Sequence, residues 1–279
     1  MWELTEDVEA FAATAGDFLR SRPVEHTVFL TLVDTLRRRG MHAYGVGDPI
    51  FGFWRTGSGP VDGVLLQTPP FAMMFSRLPA DAVAAAPEAV AGRSLPGVNM
   101  LAGDADEFVA GWRKRTGAEA TETLRVRLYR LDALTPPPPP PGTARRAGPG
   151  DRDLLLRWFT DFHEELGDVR EDDFGGAIDD RVGYGGITFW EDGGEPVAMA
   201  TRSRPESGMV RVQMVYTPAA HRRRGYAGAA TSAVSREALD LGATDVVLFT
   251  DLANPTSNGL YQRLGYRPVM DRVVMEFSS

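Results

Sequence analysis

Cysteine is absent from this chain, which excludes disulfides, thiolate metal sites and a cysteine nucleophile. Its four histidines are scattered without ligand spacing, so no metal is expected. No run of about twenty apolar residues occurs, so no membrane-spanning helix is expected. The opening stretch MWELTEDVEAF is acidic and lacks the charged-then-apolar order of an export signal. With the missing cysteine, that makes the cytoplasm the expected location. Lysine is nearly absent too: Lys114 stands alone, and arginine carries the other positive charges, as GC-rich bacterial coding would give. A net charge of −8 argues against a general nucleic-acid partner, which would need a broad basic face. What remains is an ordinary globular composition, 43% hydrophobic and 24% charged, and 279 residues are room enough for two domains.

Six consecutive prolines, Pro136 to Pro141, lie in the stretch TPPPPPPGTARRAGPG from Thr135 to Gly150. Such a run forms neither a helix nor a central strand; it adopts extended polyproline II and acts as a stiff spacer. The stretch is read as the linker between domains 1–134 and 144–279, with the spacer proper at 135–143. In the first half, apolar spacing predicts helices over 3–20 and 24–39, the second closed by Gly40. Strands are expected at 50–55, 61–68, 71–76 and 98–102, with an alanine-rich helix over 79–90 that Pro87 interrupts. Asp104 and Glu107 read as a capping box opening a helix through Lys114, and 123–131 alternates as a half-buried strand. In the second half, helices are expected over 151–166 and 174–181, the latter flanked by Glu171, Asp172 and Asp173. A hairpin joins 187–190 to 196–204, and 269–277 is expected to finish this half's sheet.

The most informative stretch is Met209 to Leu241. Met209–Thr217 is rich in β-branched residues and reads as a strand that Pro218 ends. From about Arg224, Ala230, Val234, Ala238 and Leu241 recur at helical spacing, with Gly242 placed to end the helix. The join holds Arg222, Arg223, Arg224, Gly225, Tyr226, Ala227 and Gly228. Small residues admit a ligand close to the backbone, and the unpaired amides of the first helical turn favour an anion, so the join reads as a pyrophosphate site. By contrast, Arg37-Arg38-Arg39-Gly40 ends a helix, where cations suit the dipole, and is read as structural.

Arg222-x-x-Gly225-x-Ala227, the strand end Val215-Tyr216-Thr217 before it and DLANPTSNGLYQRLG after the next strand resemble the GCN5-related N-acetyltransferase (GNAT) superfamily. The resemblance covers the second half. It implies a mixed α/β sheet and acetyl-CoA as cofactor, with a primary amine of a small molecule or peptide as acceptor. It also implies that Val215, Tyr216 and Thr217 pair with the pantetheine arm and that residues 222–228 hold the diphosphate. The element order of the first half is similar, so two GNAT-like domains in tandem are expected. The first is a degenerate one, because Arg77 to Ala82 stands where the phosphate loop should fall; an unrelated α+β domain with the same order is the other reading.

Asn254, Asn258 and Tyr261 lie at i, i+4 and i+7 and share a helix face. By resemblance, Tyr261 is the acid for the coenzyme A thiolate, and Asn254 and Asn258 are cofactor contacts. Core packing is the competing reading for Tyr261, and a plain N-cap for Asn254. A general base is not legible: Arg211 stands where many relatives carry a glutamate. Glu164, Glu165, Glu171, Asp172 and Asp173 either line the acceptor cleft or solvate helix faces, His163 reads as helix surface, and a water chain is a further carrier for the proton. A non-catalytic acyl-CoA sensor is the alternative function.

Overall fold

The computed structural model describes residues 1–167 and 174–278, so Glu171, Asp172 and Asp173 lie outside the described residues. The chain opens with strand β1 (Trp2–Thr5), helices α1 (Val8–Ser21) and α2 (Thr27–Arg39), and strands β2 (Ile50–Arg55), β3 (Val61–Gln67) and β4 (Met73–Phe75). Helix α3 (Ala80–Ala89), strand β5 (Gly97–Leu101), helix α4 (Ala105–Thr116) and strand β6 (Glu119–Leu131) follow. Beyond the prolines come β7 (Thr143–Arg146), α5 (Arg152–Glu165), α6 (Phe174–Gly183), β8 (Ile187–Asp192), β9 (Glu195–Arg202) and β10 (Met209–Tyr216). The last elements are α7 (Tyr226–Asp240), β11 (Asp245–Asp251), α8 (Pro255–Arg263) and β12 (Tyr266–Ser278). These form two compact units that interleave in sequence: Met1–Leu128 with Thr250–Ala253 and Val269–Ser279, and Tyr129–Phe249 with Asn254–Pro268.

In the first unit the strands run in the order β1-β2-β3-β4-β5-β12. Residues 3–5, expected in a helix, lie in β1, which pairs antiparallel with β2. The helix starts only at Val8, because the Asp7 side chain accepts from the amides of Glu9 and Ala10 and caps it there. The capping box expected at Asp104 does not form: that side chain caps nothing, and burial raises its pKa. Residues 272–276 pair antiparallel with β5, so the last strand does not simply finish the second half's sheet. Between β4 and β5 the parallel pairing covers only Met73 with Val98 and Met74 with Asn99. Beside it lies the side chain of Arg272, only 2% exposed. Its guanidinium donates to the Phe75 carbonyl and to both the side-chain and backbone oxygens of Asn99, each at 2.8 Å. Burial lowers its pKa to about 10. On the other face of these strands Phe75, Phe108, Trp112 and Val273 pack in one core.

The second unit has the order β6-β11-β10-β9-β8-β7, with the last residues of β6 belonging to it. Thr143–Arg146, part of the stretch read as linker, is a strand paired antiparallel with β8. The β8–β9 turn uses Gly193 and Gly194 at φ 62° and 86°, the left-handed pair that a tight hairpin needs. Alternation along the strands separates two cores. Ala230, Val234 and Ala238 of α7 pack on Val210, Val212 and Leu248. Trp158, Phe159 and Ile178 of α5 and α6 pack on Phe189, Met199 and Tyr216.

Candidate active site

The site is built where β10 leaves its neighbours. Its parallel ladder with β11 runs only from Met209 to Arg211. On the other side the register with β9 shifts between Gln213 and Tyr216, and Met214 takes φ 42°. A non-glycine residue there is a bulge, which bends the strand end and separates it from β11. Val215 packs toward α7 while Tyr216 is buried toward α5, and the Thr217 hydroxyl is buried without a partner among the described residues. The Tyr216 hydroxyl donates to Asp161 Oδ2 at 3.3 Å; burial first, then Asp161 and Glu165, push its pKa up to about 12.

The loop after β10 turns through Arg223 at φ 62° and Gly225 at φ 86° into α7. No side chain caps this helix, so the first-turn amides of Tyr226, Ala227 and Gly228 are left open. Arg222 Nε donates to the Thr217 carbonyl at 2.9 Å, and its Nη2 donates to Glu165 at 2.6 Å. Arg223 and Arg224 are exposed. The Tyr226 ring is buried and its hydroxyl donates to Asp192 at 2.5 Å, so this residue offers a ligand only its backbone. Parted parallel strands beside an uncapped, arginine-flanked helix N-terminus can hold an extended ligand with an anionic end.

Residues 152–266 match the family model described as the acetyltransferase (GNAT) family. No curated protein matches the chain in sequence. Among solved structures, a GNAT-family acetyltransferase from Colwellia psychrerythraea superposes with a TM-score of 0.63 at 8% identity, covering 100% of both chains. A GCN5-related N-acetyltransferase from Sphaerobacter thermophilus gives 0.63 at 14% identity, covering 98% of this chain and 94% of its own. A tandem GNAT protein from the clavulanic acid biosynthesis pathway gives 0.59 at 14% identity, covering 100% and 98%. The chain has the GNAT fold. The family model falls on the second half alone, while the structural likeness runs across most of the length.

Within this GNAT fold, α8 carries the remaining expected residues. Asn254 caps the helix, its Oδ1 accepting from the Ser257 amide at 3.0 Å. Asn258 turns inward: its nitrogen donates to the Asn254 carbonyl at 2.7 Å, and its oxygen accepts from the Tyr129 hydroxyl at 2.9 Å. Gln262 donates to the same hydroxyl at 3.1 Å. The Asn258 amide is therefore committed to bracing α8 against β6. Tyr261 is 7% exposed and stands edge-on to Tyr266. Burial pushes its pKa up to about 12, and its hydroxyl makes no hydrogen bond among the described residues. Sequence reasoning missed Tyr129 and the pairing of Glu165 with Arg222, whose partners are far apart in the chain.

Proposed function

We propose that the second unit is an N-acetyltransferase, moving an acetyl group from acetyl-CoA to a primary amine of a small molecule or peptide. The observation that carries this reading is the uncapped N-terminus of α7, opened by Gly225 at φ 86° beside the parted end of β10. The buried hydroxyl of Thr217 at that strand end, without a partner among the described residues, is a second polar group suited to a ligand. Acetyl-CoA supplies the thioester that makes the acetyl group transferable.

The chain's own residues bind, orient and handle protons. The amides of residues 226–228, with Arg222, Arg223 and Arg224, hold the diphosphate, and the backbone of Val215–Thr217 pairs with the pantetheine arm. Asn254, at the start of α8, is the further contact for that arm. With burial raising its pKa to about 12, Tyr261 stays protonated at neutral pH. Proton transfer from such a phenol to a thiolate of ordinary pKa, about 8.5, is uphill. Tyr261 therefore acts chiefly as a hydrogen-bond donor to the charge growing on sulfur. Arg211 occupies the place on β10 where a carboxylate base would stand, so the amine gives up its proton to water.

That same arginine favours a second reading, an acyl-CoA sensor that transfers nothing. A panel of amines, read by release of the coenzyme A thiol, separates the two: an active acceptor sinks the sensor. Acetyl-CoA titration should saturate at one site per chain, since Arg272 already takes the carbonyls where β4 and β5 part in the first unit. Gly225→Glu should abolish binding, because it places a negative charge in the cradle. Unchanged acetyl-CoA affinity in that folded variant would overturn the proposal.

A further inference from the structure

The six prolines are more than a spacer, and the inference drawn from them rests on the cofactor reading above. The segment is pinned at both ends inside the second unit. At one end, the Thr135 amide donates to the Leu264 carbonyl at 2.9 Å and the Asp132 amide to that of Gly265 at 3.1 Å. At the other, Trp190 Nε1 donates to the Pro141 carbonyl at 2.9 Å. Each anchor needs glycine. A Cβ on Gly265, at φ 101°, would lie 1.9 Å from the Ala133 oxygen, and one on Gly142, at φ 111°, 1.9 Å from the Glu191 oxygen.

Between the anchors, Leu134, Pro137 and Pro140 are half-buried, while residues 135, 136, 138, 139 and 141 are exposed. Burial at every third residue is the mark of a polyproline II helix laid along a surface. That surface is the first turn of α7. Pro140 Cβ and Cγ lie 3.8 and 3.9 Å from where a Cβ on Gly225 would be. Pro137 Cγ lies 3.6 Å from the same position on Gly228. The two glycines are three residues apart, as are the two prolines, so strap and helix turn meet in step.

We propose that Pro137 and Pro140 form a side wall of the diphosphate cradle and position the nucleotide end of acyl-CoA. Gly225 and Gly228 seat the strap by lacking side chains, Gly228 also making room for Leu260 Cδ1, 3.1 Å from where its Cβ would be. Proline has no amide hydrogen, and the carbonyl of Pro141 is already bonded to Trp190. The strap thus narrows the cradle without offering the anion a donor of its own. Its stiffness means little conformational freedom is lost when the ligand arrives.

The test compares two donors on the full chain. Acetyl-CoA carries the diphosphate; S-acetyl-pantetheine lacks it. In Pro137→Ala with Pro140→Ala, KM for acetyl-CoA should rise about tenfold with kcat unchanged, the scale expected when a preorganised contact is lost. KM for S-acetyl-pantetheine should stay put. Pro138→Ala with Pro139→Ala alters the exposed faces of the same strap and should change neither donor. Melting temperatures on all variants separate loss of fold from loss of binding; if the first pair does not fold, Pro140→Ala alone carries the comparison. Equal KM shifts for both donors, tighter acetyl-CoA binding, or no change in an active parent would each overturn the wall while leaving the cofactor site standing. A parent that neither binds nor turns over acetyl-CoA would overturn the functional reading itself.

Discussion

Replacing Tyr261 with phenylalanine should make the protein slower and slightly more stable at once. The residue is only 7% exposed, its hydroxyl makes no hydrogen bond among the described residues, and its ring packs in the core beside Tyr266. Burying a hydroxyl without a partner costs about 1–3 kcal/mol, and the slight exposure of this residue places the value at the lower end. Phenylalanine keeps the ring and removes that cost, so Tyr261→Phe should gain about 0.5–1 kcal/mol, or about 1–4 °C in Tm for a domain of this size. Catalysis should move the other way. Losing one donor to the developing thiolate should lower kcat about 10²-fold. Acetyl-CoA affinity should hold, because that charge exists only as the bond breaks. Calorimetry for Tm and affinity, together with coenzyme A release at saturating acceptor, reads all three quantities. An intact kcat with chemistry rate-limiting, or a lower Tm, would refute the argument and return Tyr261 to the core.

Two further outcomes follow from α8 and its surroundings. Asn254→Ala removes the side-chain cap from the Ser257 amide and should cost about 1 kcal/mol, measured by chemical denaturation; a cost near zero would mean that water replaces the cap freely. Burial raises the pKa of Tyr261, to about 12, and of Tyr266 above the ordinary 10, so both rings hold their protons more firmly when folded. That stability is fully present below about pH 10 and drains away as pH rises toward 12. Phenolate absorbance from these two rings should therefore appear together with unfolding, and ionisation well below the unfolding transition would contradict their burial.

The loop and helix of the candidate site were legible because their signals are local. A β-branched run, a proline stop, a left-handed glycine and helical spacing of small residues all fall within about thirty neighbours. The Glu-Asp-Gly-Gly hairpin and the Asn-Pro helix start were legible for the same reason. What escaped depends on distant partners. Glu3, Leu4 and Thr5 look like the lead of an amphipathic helix, and only their pairing with Phe53, Gly52 and Phe51 makes them a strand. Thr143–Arg146 is flanked by proline and glycine and carries little pattern; β8 gives it order. Along β6 the alternation marks Leu124 as inward, yet it is exposed, whereas Tyr129, on the opposite parity, is wholly buried against α8. Alternation names a face but not what covers it.

Arg272 also sets a timetable. Its guanidinium bonds residues 75 and 99 from a position 173 residues or more further along the chain, and β12 completes the pairing of β5. During synthesis, therefore, the first unit's strands emerge long before the strand that closes them. Until residues 272–276 leave the ribosome, the oxygens of Phe75 and Asn99 and one edge of β5 stand unsatisfied, a sticky surface in a half-made chain. The strands β2 to β5 are thus made before the second unit and closed only after it, by one very long loop closure.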